Sequence, residues 1–281
     1  MNKSIAPWCA AHSRPTKESI KRENERVLLE MRHYVTPYCC GLFSYEPEDT
    51  SDPPGNLQGS GSFIWYNGQH LALTCHHVEH NAAKEGLLMA IAGAGEGKGV
   101  SVNGQFFSAK LPIDAAVTRI ESQDWNAHFT SALCVPQADF AVKHKPVPQE
   151  AFCIFGLPAD DARAFSGVHV AEGLSLLTNE CPPPRGLADA VPAFNPKYHF
   201  CMPYTPEAVT PALGETGVLP KAPGLSGSLV WNTRYKEVSE IGKIWTPADA
   251  RVTGLLWGWH TGNGVLIATR IEHVVEFLGT V

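Results

Sequence analysis

The sequence predicts an all-β core with one helix at each end, on three observations. Its 281 residues include 25 glycines and 22 prolines. Turn formers in such numbers suit many short strands and do not suit a helical bundle. Short apolar runs bounded by turn residues recur along the middle of the chain, and helix-period apolar spacing is confined to the two ends. A strand-rich middle of this length belongs to a barrel or a sandwich.

Residues 16–35 predict the first helix. Thr16 can cap it, Ile20, Val27, Leu28 and Met31 form an apolar stripe, and Pro37 stops it. Residues 46–55, EPEDTSDPPG, are turn chemistry and predict a linker or exposed loop. From Gly59 the pattern changes to strands. Residues 62–66 and 70–74 flank Asn67-Gly68 and predict a hairpin. Further strands are expected at 100–102, 115–120, 140–142, 152–155, 168–170 and 174–177. Residues 178–222 are proline-rich and predict a long loop region holding a short strand near 198–202. Strands follow at 228–231, 253–257 and 265–269. Ile271, Val274, Val275 and Leu278 then share the face of a closing helix.

Composition excludes several classes of function. The net charge of −6 lacks the basic field that a nucleic-acid clamp needs. At 44% hydrophobic and 18% charged residues, the chain is too apolar for a disordered one. No run approaches the roughly 18 apolar residues of a membrane span, and the start of the chain is too short in apolar residues for a secretory signal. The expectation is a cytosolic protein. Eight scattered cysteines without a Cys-x-x-Cys pair read as free thiols in the core.

Three short motifs carry chemistry. The first is Leu73-Thr74-Cys75-His76-His77-Val78, at the end of an expected strand that follows Gly59-Ser60-Gly61. The second is Asp114-Ala115-Ala116-Val117. The third is Gly224-Leu225-Ser226-Gly227-Ser228-Leu229. Each alone is unspecific. Together, in the order His, Asp, Ser, they resemble the trypsin/chymotrypsin-like serine peptidases. Phe152-Cys153-Ile154-Phe155-Gly156-Leu157-Pro158 is similar to that family's strand ending in Gly-x-Pro. Gly254-Leu255-Leu256, then a strand and a closing helix, agree as well.

The resemblance covers about residues 58–281. It implies two six-stranded antiparallel β-barrels in a single protease domain, about 58–145 and 146–281. Residues 1–57 would then be a helical extension and linker, the helix packing on the first barrel or recruiting a regulatory protein. It further implies a serine endopeptidase acting on polypeptides through an acyl-enzyme. His77 is the implied base and Ser226 the nucleophile. Asp114 would orient the imidazole, and the N–H groups of Gly224 and Ser226 would form the oxyanion hole. The sequence departs from the family at Leu225, where many relatives have Asp or Asn, and at Ser228-Leu229, where Gly-Pro is usual. No activation site of the Ile-Val-Gly-Gly type is present.

Two assignments have rivals. His76 adjoins His77, and on a strand only one of the two could face the site. Asp139-Phe140-Ala141-Val142 also fits the aspartate motif, but 115–120 makes the better strand. Trp257, Gly258 and His260 are the expected pocket residues. Gly258-Trp259-His260 lies where the family builds its specificity pocket, and a histidine there would favour Glu or Gln before the scissile bond. The cluster at Cys75, His76, His77, Glu79 and His80 is not His-Glu-x-x-His, so no metal is expected, and no cofactor. The glycine run at 93–99 lacks the spacing of a phosphate loop. The competing function is a catalytically silent or partner-activated binding module on the same fold.

Overall fold

In the computed structural model, the described residues are 16–45, 56–82, 86–91, 100–101, 104–129, 131–159, 162–165, 168–171, 173–212 and 218–281. The readings of the first 11 residues, of the 46–55 tract and of the 93–99 run lie outside them. The chain opens with α1 (Lys17–Val35), which Thr16 caps by accepting from the Ser19 N–H. β1 (Cys39–Tyr45), β2 (Asn56–Tyr66) and β3 (Gln69–Thr74) follow, then α2 (His76–Ala82). β4 (Gly86–Ile91), β5 (Val100–Ser101), β6 (Phe106–Ala109), β7 (Ala115–Ile120), α3 (Ser122–His128) and β8 (Val135–Pro136) complete the first half.

The second half holds β9 (Ala151–Gly156), the hairpin of β10 (Ala162–Phe165) and β11 (Val168–Ala171), and β12 (Leu174–Asn179). α4 (Leu187–Ala190), β13 (His199–Pro203), β14 (Thr210–Ala212), β15 (Leu229–Asn232) and α5 (Tyr235–Glu240) come next. β16 (Arg251–His260), β17 (Val265–Arg270) and α6 (Ile271–Leu278) close the chain.

Two curled antiparallel sheets result, in the double-barrel arrangement. The first runs β5-β4-β1-β2-β3-β7-β6, with β8 added in parallel to β2; the second runs β13-β17-β16-β15-β9-β12-β14. Short edge strands bring the described paths to eight and seven strands. β1 lies inside the first sheet, between β4 and β2. The first sheet therefore begins at Cys39, ahead of the boundary expected at 58, and the 46–55 tract connects two paired strands. Residues 140–142 form no strand: Phe140 makes one isolated bridge to Val252, after a 3-10 turn at Gln137–Asp139.

The Asn67-Gly68 turn joins β2 and β3 as expected, with both residues at positive φ. α1 buries Val27, Leu28, Met31 and Val35, while Ile20 is exposed. The helix lies mainly against β9, β12 and β14 of the second sheet, and its buried face joins the core of the first. Tyr38 stacks on Trp231 of β15 at 5.9 Å and Tyr34 meets it edge-on at 6.0 Å; such pairs are each worth about 0.5–1.5 kcal/mol beyond burial. One apolar core runs from α1 through the first sheet to Leu255 of β16 and Ile271 and Val274 of α6. A second fills the other half around Phe152, Ile154, Phe200, Leu256 and Leu266. Among the described residues, no helix is long and apolar enough to cross a membrane.

Candidate active site

His77 sits in the first turn of α2, not at a strand end: β3 stops at Thr74 and the helix begins at His76. A helix start leaves backbone N–H groups without partners. Asp114 supplies one: the His77 N–H donates to Asp114 Oδ1 at 3.1 Å. The ring of the same residue reaches the other oxygen, with Nδ1 2.6 Å from Asp114 Oδ2. A carboxylate only accepts, so Nδ1 carries the proton and, in the neutral ring, Nε2 carries the lone pair. Asp114 is 2% exposed and ends the turn from Lys110 with φ +50°, a left-handed conformation that Asp tolerates better than most residues.

The rivals are placed elsewhere. His76 turns to its own helix, with Nδ1 3.5 Å from Glu79 and its ring 5.6 Å from His80. Successive helical residues point about 100° apart rather than to opposite faces, so the strand argument for choosing between the two histidines does not apply. Asp139 lies 3.7 Å from Arg251.

Ser226 lies in a tight loop bracketed by Gly224 (φ +94°) and Gly227 (φ +92°). Neither glycine could be replaced in place. A Cβ on Gly224 would meet the Leu157 carbonyl at 2.4 Å, and one on Gly227 the Ser60 carbonyl at 1.9 Å. The loop is fastened to both sheets. Ser60 Oγ donates to the Gly224 carbonyl at 2.8 Å and accepts from the Leu157 N–H at 2.9 Å. The Ser60 N–H donates to the Ser226 carbonyl and the Gly227 N–H to the Leu256 carbonyl, each at 2.8 Å. Thr74 Oγ1 donates to the Ser60 carbonyl at 2.7 Å. Gly59 makes room: a Cβ there would meet Val78 at 2.6 Å and the Ser226 carbonyl at 2.9 Å. The Gly59-Ser60-Gly61 motif thus marks the seam between α2 and the serine loop. Ser60 itself, overlooked in the sequence reading, is the residue between those glycines.

The Ser226 hydroxyl donates to the Trp257 carbonyl at 3.3 Å. Around it, the N–H groups of Leu225, Gly227 and Ser228 are taken up by the carbonyls of Ala222, Leu256 and Leu225. Among the described residues, those of Gly224 and Ser226 have no such backbone partner. Leu225 is buried in the second core, which accounts for an apolar residue beside Ser226.

A cavity of about 210 Å³ opens beside Ser226. Pro223, Leu225, Leu256, Gly258, Trp259 and Leu266 line it, with no charged side chain among the described residues. Of the three expected pocket residues, only Gly258 does. Register shifts between Leu256 and Gly258 in the pairing of β16 with β17. The Trp257 ring packs 5.0 Å from His199, outside the cavity. The ring of His260 lies over Gly262 instead of lining the cavity.

Cys75, His77 and Asp114 bring three donor atoms within 4.8 Å of one another. Cys75 is a poor metal ligand. Its buried thiol is pushed well above the usual range by desolvation, with the Asp114 charge adding to this, and it donates to the Leu256 carbonyl at 3.1 Å.

No family model matches the chain, and no curated protein matches it. Solved structures do. The crystal structure of a scabies mite inactivated protease paralogue is similar at a TM-score of 0.53 and 12% identity, over 88% of this chain and 94% of that one. This is the trypsin-like fold. Two further trypsin-like neighbours lie further off. The HtrA-type protease AlgW with tripeptide has a TM-score of 0.48 and 14% identity, over 90% of this chain and 62% of its own. The active form of the Rv3671c protease from M. tuberculosis has a TM-score of 0.46 and 13% identity, over 99% and 93%. At such identities the likeness extends to the trypsin-like fold alone.

Proposed function

We propose that the protein is a serine endopeptidase with Ser226 as nucleophile, His77 as general base and Asp114 as the carboxylate that orients it. One observation carries this reading: a buried carboxylate holds both the backbone and the ring of His77, and Thr74 and Ser60 tie the end of β3, just ahead of that histidine, to the glycine-bracketed loop of Ser226. For reaction, the Ser226 hydroxyl turns from the Trp257 carbonyl to His77 Nε2, which takes its proton as Oγ attacks the substrate carbonyl. The Gly224 and Ser226 N–H groups receive the developing oxyanion, each worth about 3 kcal/mol. The protonated His77 then gives its proton to the leaving amine, and water releases the acyl group by the same steps in reverse.

The apolar cavity supports an aliphatic or aromatic side chain before the scissile bond rather than Glu or Gln. The test is labelling by a fluorophosphonate beside Ser226→Ala, His77→Ala and Asp114→Ala, followed by a peptide library. Labelling of the wild type alone supports the reading, and equal labelling of Ser226→Ala refutes it.

The second reading, a silent or partner-activated module, is favoured by the Ser226 hydroxyl pointing to Trp257 instead of His77. It predicts a folded wild type that does not label until a protein partner is added, or at all.

A further inference from the structure

Asp114 is held in an unusual way. Asp accepts φ +50° more readily than most residues, and here its surroundings fix it there. The local turn supplies part of the restraint, through the Ile113 and Asp114 N–H groups on the Lys110 carbonyl. The rest comes from the other sheet. Thr269 Oγ1 donates to the Ile113 carbonyl at 2.9 Å. His199 Nε2 lies 2.6 Å from the Pro112 carbonyl.

The tautomer of His199 follows from its other nitrogen. Nδ1 accepts from the Asn195 N–H at 3.0 Å, so the proton is on Nε2 and is donated to Pro112. His199 on β13 and Thr269 on β17 are direct cross-strand partners. Both are essentially buried. Two neighbouring side chains of the second sheet therefore grip two consecutive carbonyls just ahead of Asp114, which leads into β7 of the first.

We infer that His199 and Thr269 are positioning residues. They hold the Asp114 backbone in its left-handed state, and through it the carboxylate under His77. The inference rests on the triad reading for its effect on turnover, while the grip itself does not. Neither residue lines the cavity beside Ser226, so the grip acts on the proton-transfer pair and not on substrate binding.

The test uses the full chain and two kinds of substitution. His199→Leu and Thr269→Val remove a donor each. His199→Gln and Thr269→Ser keep one, since a glutamine amide can reach where Nε2 reaches. The first readout needs no turnover. Proton NMR follows the downfield Nδ1–H of His77 and the His77 backbone amide, both bonded to Asp114. These are expected to shift in His199→Leu and Thr269→Val and to return towards wild type in His199→Gln and Thr269→Ser.

The second readout is peptide hydrolysis. The donor-deleting variants are expected to lose about tenfold or more in kcat with KM within about twofold. A purely structural role would lower the melting temperature and leave both His77 signals unmoved in the folded protein. Unmoved signals in folded Thr269→Val and His199→Leu overturn the inference. Thr269→Val, nearly isosteric with the native residue, decides alone if His199→Leu does not fold. Moved signals in a protein that never labels with fluorophosphonate keep the grip and reject the peptidase reading.

Discussion

Ser60→Ala removes one hydroxyl that joins three segments of chain. In the native protein that hydroxyl donates to Gly224 and accepts from Leu157. Alanine keeps the Cβ and the strand conformation, so the change tests the bonds alone. Leu157 is buried, and its N–H loses its partner in the interior, at about 1–3 kcal/mol. Gly224 is half-buried and water can recover part of its loss, which puts its share at the low end, about 1 kcal/mol.

The sum is a destabilisation of about 2–4 kcal/mol, or a fall in Tm of roughly 3–7 °C for a chain of this size. Urea unfolding and a thermal melt measure it. Fluorophosphonate labelling at a temperature where the variant is folded measures the second effect, a slower reaction at Ser226, because the loop that presents it has lost a tie to the first sheet. A Tm within about 1 °C of wild type with an unchanged labelling rate would refute the account of Ser60, since an unpaired buried N–H cannot be that cheap.

Other outcomes follow from the same geometry. Asp114→Asn keeps the side-chain shape but favours the wrong imidazole tautomer; kcat on a peptide substrate is expected to fall by about 10⁴ with the fold intact by circular dichroism. Leu225→Asp puts an unpaired charge into an apolar core, and urea unfolding should show a loss of about 3–5 kcal/mol. Stability should also depend on His199. Burial holds its pKa below the usual 6.5, with His273 and Arg270 acting the same way and the Pro112 carbonyl and Asp114 against it. The unfolded chain therefore binds the proton first, so this contribution is fully present above pH 6.5 and is lost as pH falls through the folded value. The difference in unfolding free energy between pH 7 and pH 5.5 should be smaller in His199→Gln than in wild type; an equal difference would remove His199 from the account.

The parts legible in the sequence were those with local signatures. The Asn-Gly hairpin, the capped first helix, the closing helix and the three motifs each announce themselves within a dozen residues. What escaped depends on distant chain. β1 reads as an unremarkable Cys-Cys-Gly run because its strand character comes from pairing with β2 and β4. α2, at seven residues, is too short for its apolar spacing to show. The turn of Trp257 towards His199, away from the cavity, follows from a break in alternation that no propensity encodes. Ser60, His199 and Thr269 are ordinary residues locally and matter through backbone groups 87 or more positions away. The serine and histidine motifs were legible because both need glycines or turns whose chemistry is local.

The docking of the two terminal helices has a consequence for synthesis. α1 is made before either sheet, but the strands it covers, β9, β12 and β14, are made more than a hundred residues later. α6, made last, reaches back to β7. On a ribosome, the apolar face of Val27, Leu28, Met31 and Val35 emerges with nothing to rest on and must wait for most of the chain. α6, which follows the second sheet, helps complete the first. Until β9, β12 and β14 are made, that face of α1 is the kind of exposed apolar surface that chaperones cover.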